Sequence, residues 1–229
     1  MGAPDARLRL AASFVREGAV FADIGTDHAY LPIYLLERGR IARAICADVV
    51  DGPLERAREN LAAAGFLSRV RTVKTDGLCG LDREGLTDIA ICGMGGELIA
   101  RILADAPFVR DPAIRLILQP MSRAAVLRRY LAKNGFSVQR EGLARAAGRV
   151  YACLSVSYDG IPRKIDAVEA EIGHPPCDTE EERALFADLL DRKLATLRKK
   201  KVALLRGGHT DFPEEALLES LSKIREGIR

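Results

Sequence analysis

The fold is decided by the stretch from Phe21 to Leu31, which reads FADIGTDHAYL. An apolar run that ends in Asp-x-Gly and leads into a helix-like segment is typical of the first strand and phosphate loop of a nucleotide-binding unit. The glycine pattern of dinucleotide-binding proteins is incomplete, because Asp27 and His28 stand where further glycines are expected. Since a carboxylate would repel a pyrophosphate, the sequence predicts a ligand without phosphate at this loop.

Strand-like and helix-like segments alternate from residue 19 to residue 133. Almost wholly apolar strands that alternate with helices indicate a parallel sheet covered on both faces. After Gly135, two strands follow at 136–145 and 148–158 with no helix between them, which predicts an antiparallel hairpin at the edge of the sheet. The predicted fold is therefore α/β and Rossmann-like, and its order of elements resembles that of class I methyltransferases.

The composition changes near residue 160, from alternating segments to a charge-rich helical tail. Apolar residues recur there at spacings of three and four, first from Phe186 to Leu204 and then from Leu217 to Ile228. We expect these two helices to form an antiparallel, coiled-coil-like hairpin. The predicted domains are 1–160, which binds the ligand, and 161–229, which is helical.

The net charge is only +3, but the basic residues are clustered. Residues 110–149 contain nine Lys or Arg against two acids, and a second basic block spans 192–206. A single cation is usually just a solvated residue, whereas two blocks together favour a polyanionic partner such as RNA. The predicted nucleic-acid contacts are Arg123, Arg128, Arg129, Lys199 and Lys200.

The remaining composition predicts a cytoplasmic protein without a metal, a membrane anchor or an obligate protein partner. The five cysteines contain no C-x-x-C pair, so neither a zinc site nor a disulfide framework is indicated. Apolar runs are all far shorter than the ~20 residues that a membrane helix requires.

In a parallel sheet of this kind, the ligand lies at the carboxyl ends of the strands. S-Adenosylmethionine carries a sulfonium and an ammonium but no phosphate, so Asp27 attracts it where it would repel a dinucleotide. Asp48 ends the second strand, at a position suited to bind both hydroxyls of a ribose. Asp76 and Gly77 end the third strand, where the acid can accept from an adenine amino group while the glycine lets the ring approach.

The fourth strand ends in Gly93-Met94-Gly95-Gly96, without the Asn/Asp-Pro-Pro-aromatic segment of enzymes that methylate exocyclic amines. We predict a glycine-rich turn that admits a flat base, although a tight connection to the next helix would explain one or two of these glycines. Gln119 ends the fifth strand and either pairs with a flipped base or bonds the backbone. Gly93, Met94, Gly95 and Gln119 are the predicted catalytic residues, in the sense of positioning the base.

Taken together, ADIGTDHAYLP, DGP at 51–53, DGL at 76–78, GMGGELIA, LILQP and the helical tail resemble the bacterial tRNA adenine-22 N1-methyltransferase family. This resemblance implies a class I methyltransferase domain with a coiled-coil-like C-terminal domain, S-adenosylmethionine as cofactor and N1 of an adenine in the tRNA D-loop as target. The predicted cofactor-binding residues are Asp23, Gly25, Thr26, Asp27, His28, Asp48, Val49, Asp76, Gly77 and Gly93.

Two other functions stay open from the residues alone. One is a class I methyltransferase that acts on a protein or a small molecule, for which the two basic blocks would be dispensable. The other is an RNA-binding module without catalytic turnover. His28 and Tyr30 also have two interpretations, since each is either structural or part of the ligand site.

Overall fold

A computed structural model describes residues 4–82 and 84–228 of the chain. Its seven strands are β1 (Ala19–Ile24), β2 (Ile41–Asp48), β3 (Val70–Lys74), β4 (Asp88–Gly95), β5 (Arg115–Ser122), β6 (Phe136–Ala146) and β7 (Arg149–Tyr158). Its helices are α1 (Ala6–Phe14), α2 (Tyr30–Glu37), α3 (Asp51–Ala63), α4 (Gly96–Ala104), α5 (Ala124–Lys133), α6 (Ala167–Ile172), α7 (Glu180–Arg206) and α8 (Glu215–Gly227).

All seven strands form one sheet in the order β3-β2-β1-β4-β5-β7-β6. The strands from β3 to β5 run parallel, while β7 pairs antiparallel with both β5 and β6. The predicted Rossmann-like sheet with an antiparallel hairpin is therefore confirmed. Because β7 runs the opposite way, its beginning lies at the same edge of the sheet as the carboxyl ends of β4 and β5.

Two hydrophobic clusters cover the two faces of the sheet. One contains Ile24, Ile89 and Leu116 and packs against α4 and α5, and the other contains Phe21, Cys46 and Ile117 and packs against α1 to α3. Successive residues of a strand point to opposite faces, so apolar residues at every position bury both sides. This is why the strands read as continuous apolar runs in the sequence.

The helical tail has a hydrophobic cluster of its own. Phe186, Leu190 and Leu194 of α7 pack with Leu218 and Leu221 of α8. Two ion pairs show that the helices run antiparallel: Asp191 in the first half of α7 pairs with Arg225 near the end of α8, and Lys201 near the end of α7 pairs with Glu215 at the start of α8. The division into domains at residue 160 stays a proposal, which this separate cluster supports.

A buried ion pair connects the tail segment to the sheet. The guanidinium of Arg128, on α5, bonds the Glu141 carboxylate of β6, and the two side chains are only 6% and 4% exposed. Arg128 also donates to the carbonyl of Ala170 in α6, at 3.1 Å, and Glu141 accepts from the backbone N–H of His174 at 3.0 Å. This network, together with the short helix α6, was not predicted from the sequence.

We expect Arg128→Ala to destabilise the fold by about 3–5 kcal/mol, because it leaves the Glu141 carboxylate buried without its partner. Arg129→Ala is the matched control, since Arg129 is the next residue on the same helix but is exposed. Its effect should stay within about 0.5 kcal/mol. Urea unfolding followed by circular dichroism measures both, and equal midpoints for the two variants would contradict the role given to the ion pair.

Candidate active site

The loop after β1 is fixed to the end of β2 by its backbone. The N–H groups of Gly25 and Thr26 both donate to the carbonyl of Ala47, at 2.8 and 3.1 Å. Gly25 has a φ of +75°, in the left-handed region that glycine adopts without steric penalty. The carboxyl ends of β1 and β2 are thereby held side by side.

Asp23 is the carboxylate most strongly affected by this arrangement. It is only 7% exposed, and burial raises its pKa to about 6, with repulsion from Asp48 adding to the shift. The nearby Thr26 hydroxyl lowers that pKa, although it makes no well-aligned hydrogen bond with any described residue. No cation in the described part of the chain contributes to the shift. Asp23 is thus a buried acid that a positively charged ligand would stabilise.

A cavity of about 440 Å³ opens beside Asp23. Its size falls within the range of small-ligand sites. One wall comes from the β1 loop and the other from the N-terminal segment that leads into α1. The lining residues are Pro4, Asp5, Arg7, Leu8, Asp23, Gly25, Thr26, Asp27, His28, Ala29, Tyr30, Leu31, Cys92 and Gly93.

Asp27 reaches the rim of this cavity, but its charge is not free. Its carboxylate forms an ion pair with Arg56 and lies 3.2 Å from Nε2 of His28. Arg56 and Asn60 are one turn apart on α3, and Asn60 donates to the carbonyl of His28 at 3.0 Å. Asp27 therefore anchors the loop to α3, and the buried acid Asp23, rather than Asp27, is placed to attract a cation.

The rings of His28 and Tyr30 stack at the mouth of the cavity, with their centroids 5.0 Å apart and their planes 18° from parallel. Ala29 between them adopts left-handed backbone angles, with φ +55°, at the start of α2. A non-glycine residue in that region is strained, and strain of this kind is often found at functional sites. The stacked pair gives the mouth a flat aromatic wall.

The remaining predicted cofactor residues end the neighbouring strands and do not line this cavity. Asp48 is half-buried and accepts from the N–H of Val50 at 2.8 Å, while the side chain of Val49 is exposed. Asp76 is exposed, and Gly77 has a φ of +57°. A Cβ at Gly77 would lie 3.0 Å from Ile102, so the site needs a glycine for space as well as for conformation.

The glycine-rich turn after β4 was predicted wrongly. β4 continues through Gly95 with irregular register, and of the predicted base-positioning residues only Gly93 lines the cavity. Met94 points its methyl group over Gly25, where an added Cβ would lie 2.1 Å from it. Gly96 is required by packing, because a Cβ there would lie 2.3 Å from the carbonyl oxygen of Arg123. Gly96 thus allows α4 and α5 to approach each other.

Gln119 is fully buried, and its side-chain amide is already engaged. Its oxygen accepts from Arg7 at 2.5 Å and from the N–H of Gly93 at 3.2 Å, and its nitrogen donates to the carbonyl of Pro120 at 3.1 Å. Of its two interpretations, the structure supports the bond to the backbone, and the pairing with a base stays a prediction. Gln119 positions Gly93 and Arg7.

Arg7 is a candidate functional residue that the sequence analysis missed. Its side chain is 16% exposed, lines the cavity and lies 3.3 Å from the Asp5 carboxylate. Only the packing of α1 against the sheet brings it there, 112 residues from Gln119 in the sequence. The sequence pattern ARLRL gave no signal that distinguishes Arg7 from an ordinary exposed arginine.

The predicted nucleic-acid residues divide into three groups. Arg128 is buried in its ion pair with Glu141, which argues against the predicted contact with RNA. Lys200 pairs with Glu214, and Arg123 is exposed with Glu97 at 3.7 Å. Arg129 and Lys199 are exposed.

The described residues contain no group of three or more His, Cys, Asp or Glu side chains placed to hold a metal ion. Across those same residues, none of the helices is long and apolar enough to cross a membrane.

Residues 5–154 match the model of a methyltransferase domain family. The tRNA (adenine(22)-N(1))-methyltransferase of Bacillus subtilis (strain 168) is 35% identical to this chain over 162 residues, which are 68% of each protein. A solved structure of the Bacillus subtilis M1A22 tRNA methyltransferase TrmK is similar along 97% of this chain and 96% of its own, with 28% identity and a TM-score of 0.77.

A Streptococcus pneumoniae protein solved in complex with S-adenosyl-L-methionine has a TM-score of 0.79 and 33% identity, and the match covers 97% of both chains. The similarity thus includes the helical tail as well as the sheet. On these matches, this chain belongs to the bacterial tRNA (adenine-22-N1)-methyltransferase family.

Proposed function

We propose that this protein transfers a methyl group from S-adenosylmethionine to N1 of adenine 22 in the D-loop of tRNA. The observation that carries the proposal is Asp23, a buried carboxylate beside a cavity and without a cation of its own. The matched Bacillus subtilis relative, named for this reaction, supports the choice of substrate. Since tRNA is its substrate, we place the enzyme in the cytoplasm.

The residues around the cavity fit the charges of this cofactor. Asp23 holds the positive end of the methionine part, and the buried Thr26 hydroxyl beside it is a second acceptor. Arg7 on the opposite wall binds the carboxylate. Asp48 binds the ribose hydroxyls, and Asp76 and Gly77 hold the adenine ring beyond it. Gly25, His28 and Gly93 line the same cavity, and together with Val49 they stay predicted cofactor contacts.

When bound, S-adenosylmethionine supplies an electrophilic methyl group on a sulfonium. N1 of adenine has an in-plane lone pair, so no residue of the chain has to remove a proton before methyl transfer. The contribution of Gly93 and its neighbours is to position the base, with N1 about 3–3.5 Å from the methyl carbon, in a site from which water is excluded. The methylated base carries a positive charge.

The target adenine has to leave its stacked position in the folded tRNA, at a cost of a few kcal/mol. The stacked rings of His28 and Tyr30 form an aromatic wall at the entrance and can bind the face of the extruded base. Exposed cations elsewhere on the chain offset part of this cost by binding phosphates.

The test is to incubate the protein with unmodified tRNA transcript and methyl-labelled S-adenosylmethionine, and to map the label by nucleoside mass spectrometry. We expect N1-methyladenosine at position 22 alone. A transcript in which guanine replaces adenine 22 is the matched control and should stay unlabelled. Label on a protein or small molecule instead would favour the second methyltransferase hypothesis, and binding of tRNA without transfer would favour a non-catalytic module.

Arg7→Ala should weaken binding of S-adenosylmethionine by about 10- to 100-fold, the usual range for losing a charged hydrogen bond. Isothermal titration calorimetry measures this effect. The control ligand is methylthioadenosine, which lacks the amino-acid part and should bind both proteins equally. An equal loss for the two ligands would show that Arg7 shapes the cavity without binding the carboxylate.

The pKa of Asp23 predicts a pH dependence of cofactor binding. Since that pKa is about 6, the carboxyl loses its charge below this pH and no longer attracts the cationic ligand. We expect the Kd for S-adenosylmethionine to change little near pH 7 and to rise roughly tenfold per unit below pH 6. In Asp23→Asn the Kd should be higher and independent of pH. A flat profile in the unmodified protein would argue against a charged Asp23 in the complex.

The same pKa predicts an effect on stability with the opposite sign. The unfolded carboxyl has its ordinary pKa of 3.8 and the folded one about 6, so the folded carboxylate destabilises the fold increasingly from pH 4 to pH 6 and fully above it. Asp23→Asn removes this penalty and should stabilise the ligand-free protein at pH 7 by up to about 3 kcal/mol. Near pH 3.5 the two proteins should unfold alike, and urea titrations at both pH values check this.

A further inference from the structure

A second cleft, of about 400 Å³, lies between the sheet and the helical tail. One wall is formed by Pro120, Met121 and Ser122 at the end of β5 and by Val150, Tyr151 and Ala152 near the start of β7. The other wall comes from α7, through Leu189, Arg192, Lys193, Thr196 and Leu197. The cleft as a whole shares no lining residue with the cavity beside Asp23.

The cleft opens close to the predicted place of methyl transfer. β5 pairs with β4 so that Pro120 lies beside Met94 and Ser122 beside Gly95. An added Cβ at Gly95 would lie 3.4 Å from the hydroxyl oxygen of Ser122, which shows how closely these strand ends approach. A polymer whose reacting base enters the cavity near Gly93 would therefore have its neighbouring residues beside this cleft.

The lining of the cleft has more cations than acids. Its lining contains five Lys or Arg, at 123, 128, 149, 192 and 193, and one acid, Glu171. Three of these cations are engaged within the protein: Arg128 with Glu141, Lys193 with Glu171 at 2.6 Å, and Arg192 with Asp188 at 3.3 Å. Arg149 is exposed and makes no side-chain hydrogen bond or ion pair within residues 4–82 and 84–228, and Arg123 has only the exposed contact with Glu97.

The cleft also contains an aromatic surface and an apolar one. Tyr151 is half-buried, so part of its ring faces the cleft, and Met121 is among the exposed large apolar side chains. Proteins bind single-stranded nucleic acid through two features: cations that contact the phosphates, and aromatic rings on which the bases stack. This cleft has both. A purely electrostatic contact with a folded duplex would need no such ring.

We propose that this cleft binds the RNA strand next to the target adenine, with Arg149 and Arg123 on phosphates and Tyr151 stacked on a neighbouring base. The inference rests on the proposed function and adds to it the surface that holds the substrate. Both the sheet and α7 line the cleft, so the helical tail takes part in holding the RNA.

Steady-state methylation of tRNA transcript tests the proposal with four variants. We expect Arg149→Ala and Tyr151→Leu each to raise KM for tRNA about 10-fold. Arg43→Ala is the control for charge, because Arg43 is exposed at the start of β2, on the opposite edge of the sheet. Tyr151→Phe is the control for the ring and should keep the KM of the unmodified protein.

Salt dependence gives a second readout that a purely structural role would not change. The slope of log affinity for tRNA against log salt should become shallower by about 0.7–0.9 in Arg149→Ala and stay unchanged in Tyr151→Leu. The Kd for S-adenosylmethionine should be the same in all variants, which also shows that they are folded.

The proposal is overturned if Arg149→Ala and Tyr151→Leu retain the KM of Arg43→Ala, or if they weaken binding of the cofactor as much as that of tRNA. If the unmodified protein methylates no tRNA, the proposed function falls, and gel-shift binding of the same tRNA then tests the cleft alone. In that case weaker binding by Arg149→Ala than by Arg43→Ala supports the cleft, and equal binding overturns it.

Discussion

Two backbone hydrogen bonds, from Gly25 and Thr26 to the carbonyl of Ala47, are the constraint on which the candidate site depends. They hold the loop after β1 against the end of β2, so that Asp23 and Asp48 lie near each other at one edge of the sheet. Because the loop covers Asp23, its carboxylate loses contact with water and its pKa rises. The ionised form of Asp23 is therefore unfavourable in the folded protein unless a cationic ligand is bound. The buried carboxylate lowers the free energy of unfolding of the ligand-free protein but favours ligand binding, a trade-off that is common at functional sites.

A second network joins three parts of the chain that are far apart in sequence. The side-chain oxygen of Gln119, buried at the end of β5, accepts hydrogen bonds from the N–H of Gly93 in β4 and from the guanidinium of Arg7 in α1. Because the Gln119 side chain is fully buried, loss of either bond would leave a buried polar group with fewer partners. The cavity wall formed by α1 is therefore placed by the same side chain that fixes the end of β4. The proposed cofactor site and the proposed methyl-acceptor site are therefore both positioned by Gln119.

Charged groups of the sheet domain help to attach the helical tail. The buried pair Arg128–Glu141 bonds the backbone of Ala170 and His174 in the tail, and Arg145 of β6 pairs with Asp188 of α7. A buried ion pair adds little net stability but defines one arrangement of its partners, because a misplaced charge is left unpaired. A single defined arrangement suits the proposed RNA-binding cleft, because α7 of the tail then lies at a fixed distance from the wall formed by β5 and β7.

The sequence by itself determined the order of strands and helices and the acids at the strand ends, because these depend on local periodicity and on where each strand stops. The prediction of a phosphate-free ligand came from Asp27, which stands where a dinucleotide-binding loop has a glycine. Only the tertiary structure decided which charges are available. Asp27 and Arg128 look in sequence like free charges, yet each finds a partner on another element, Arg56 and Glu141. Arg7 and Gln119 likewise meet only when α1 packs on the sheet, since the contact joins residues 112 positions apart and no local pattern records it.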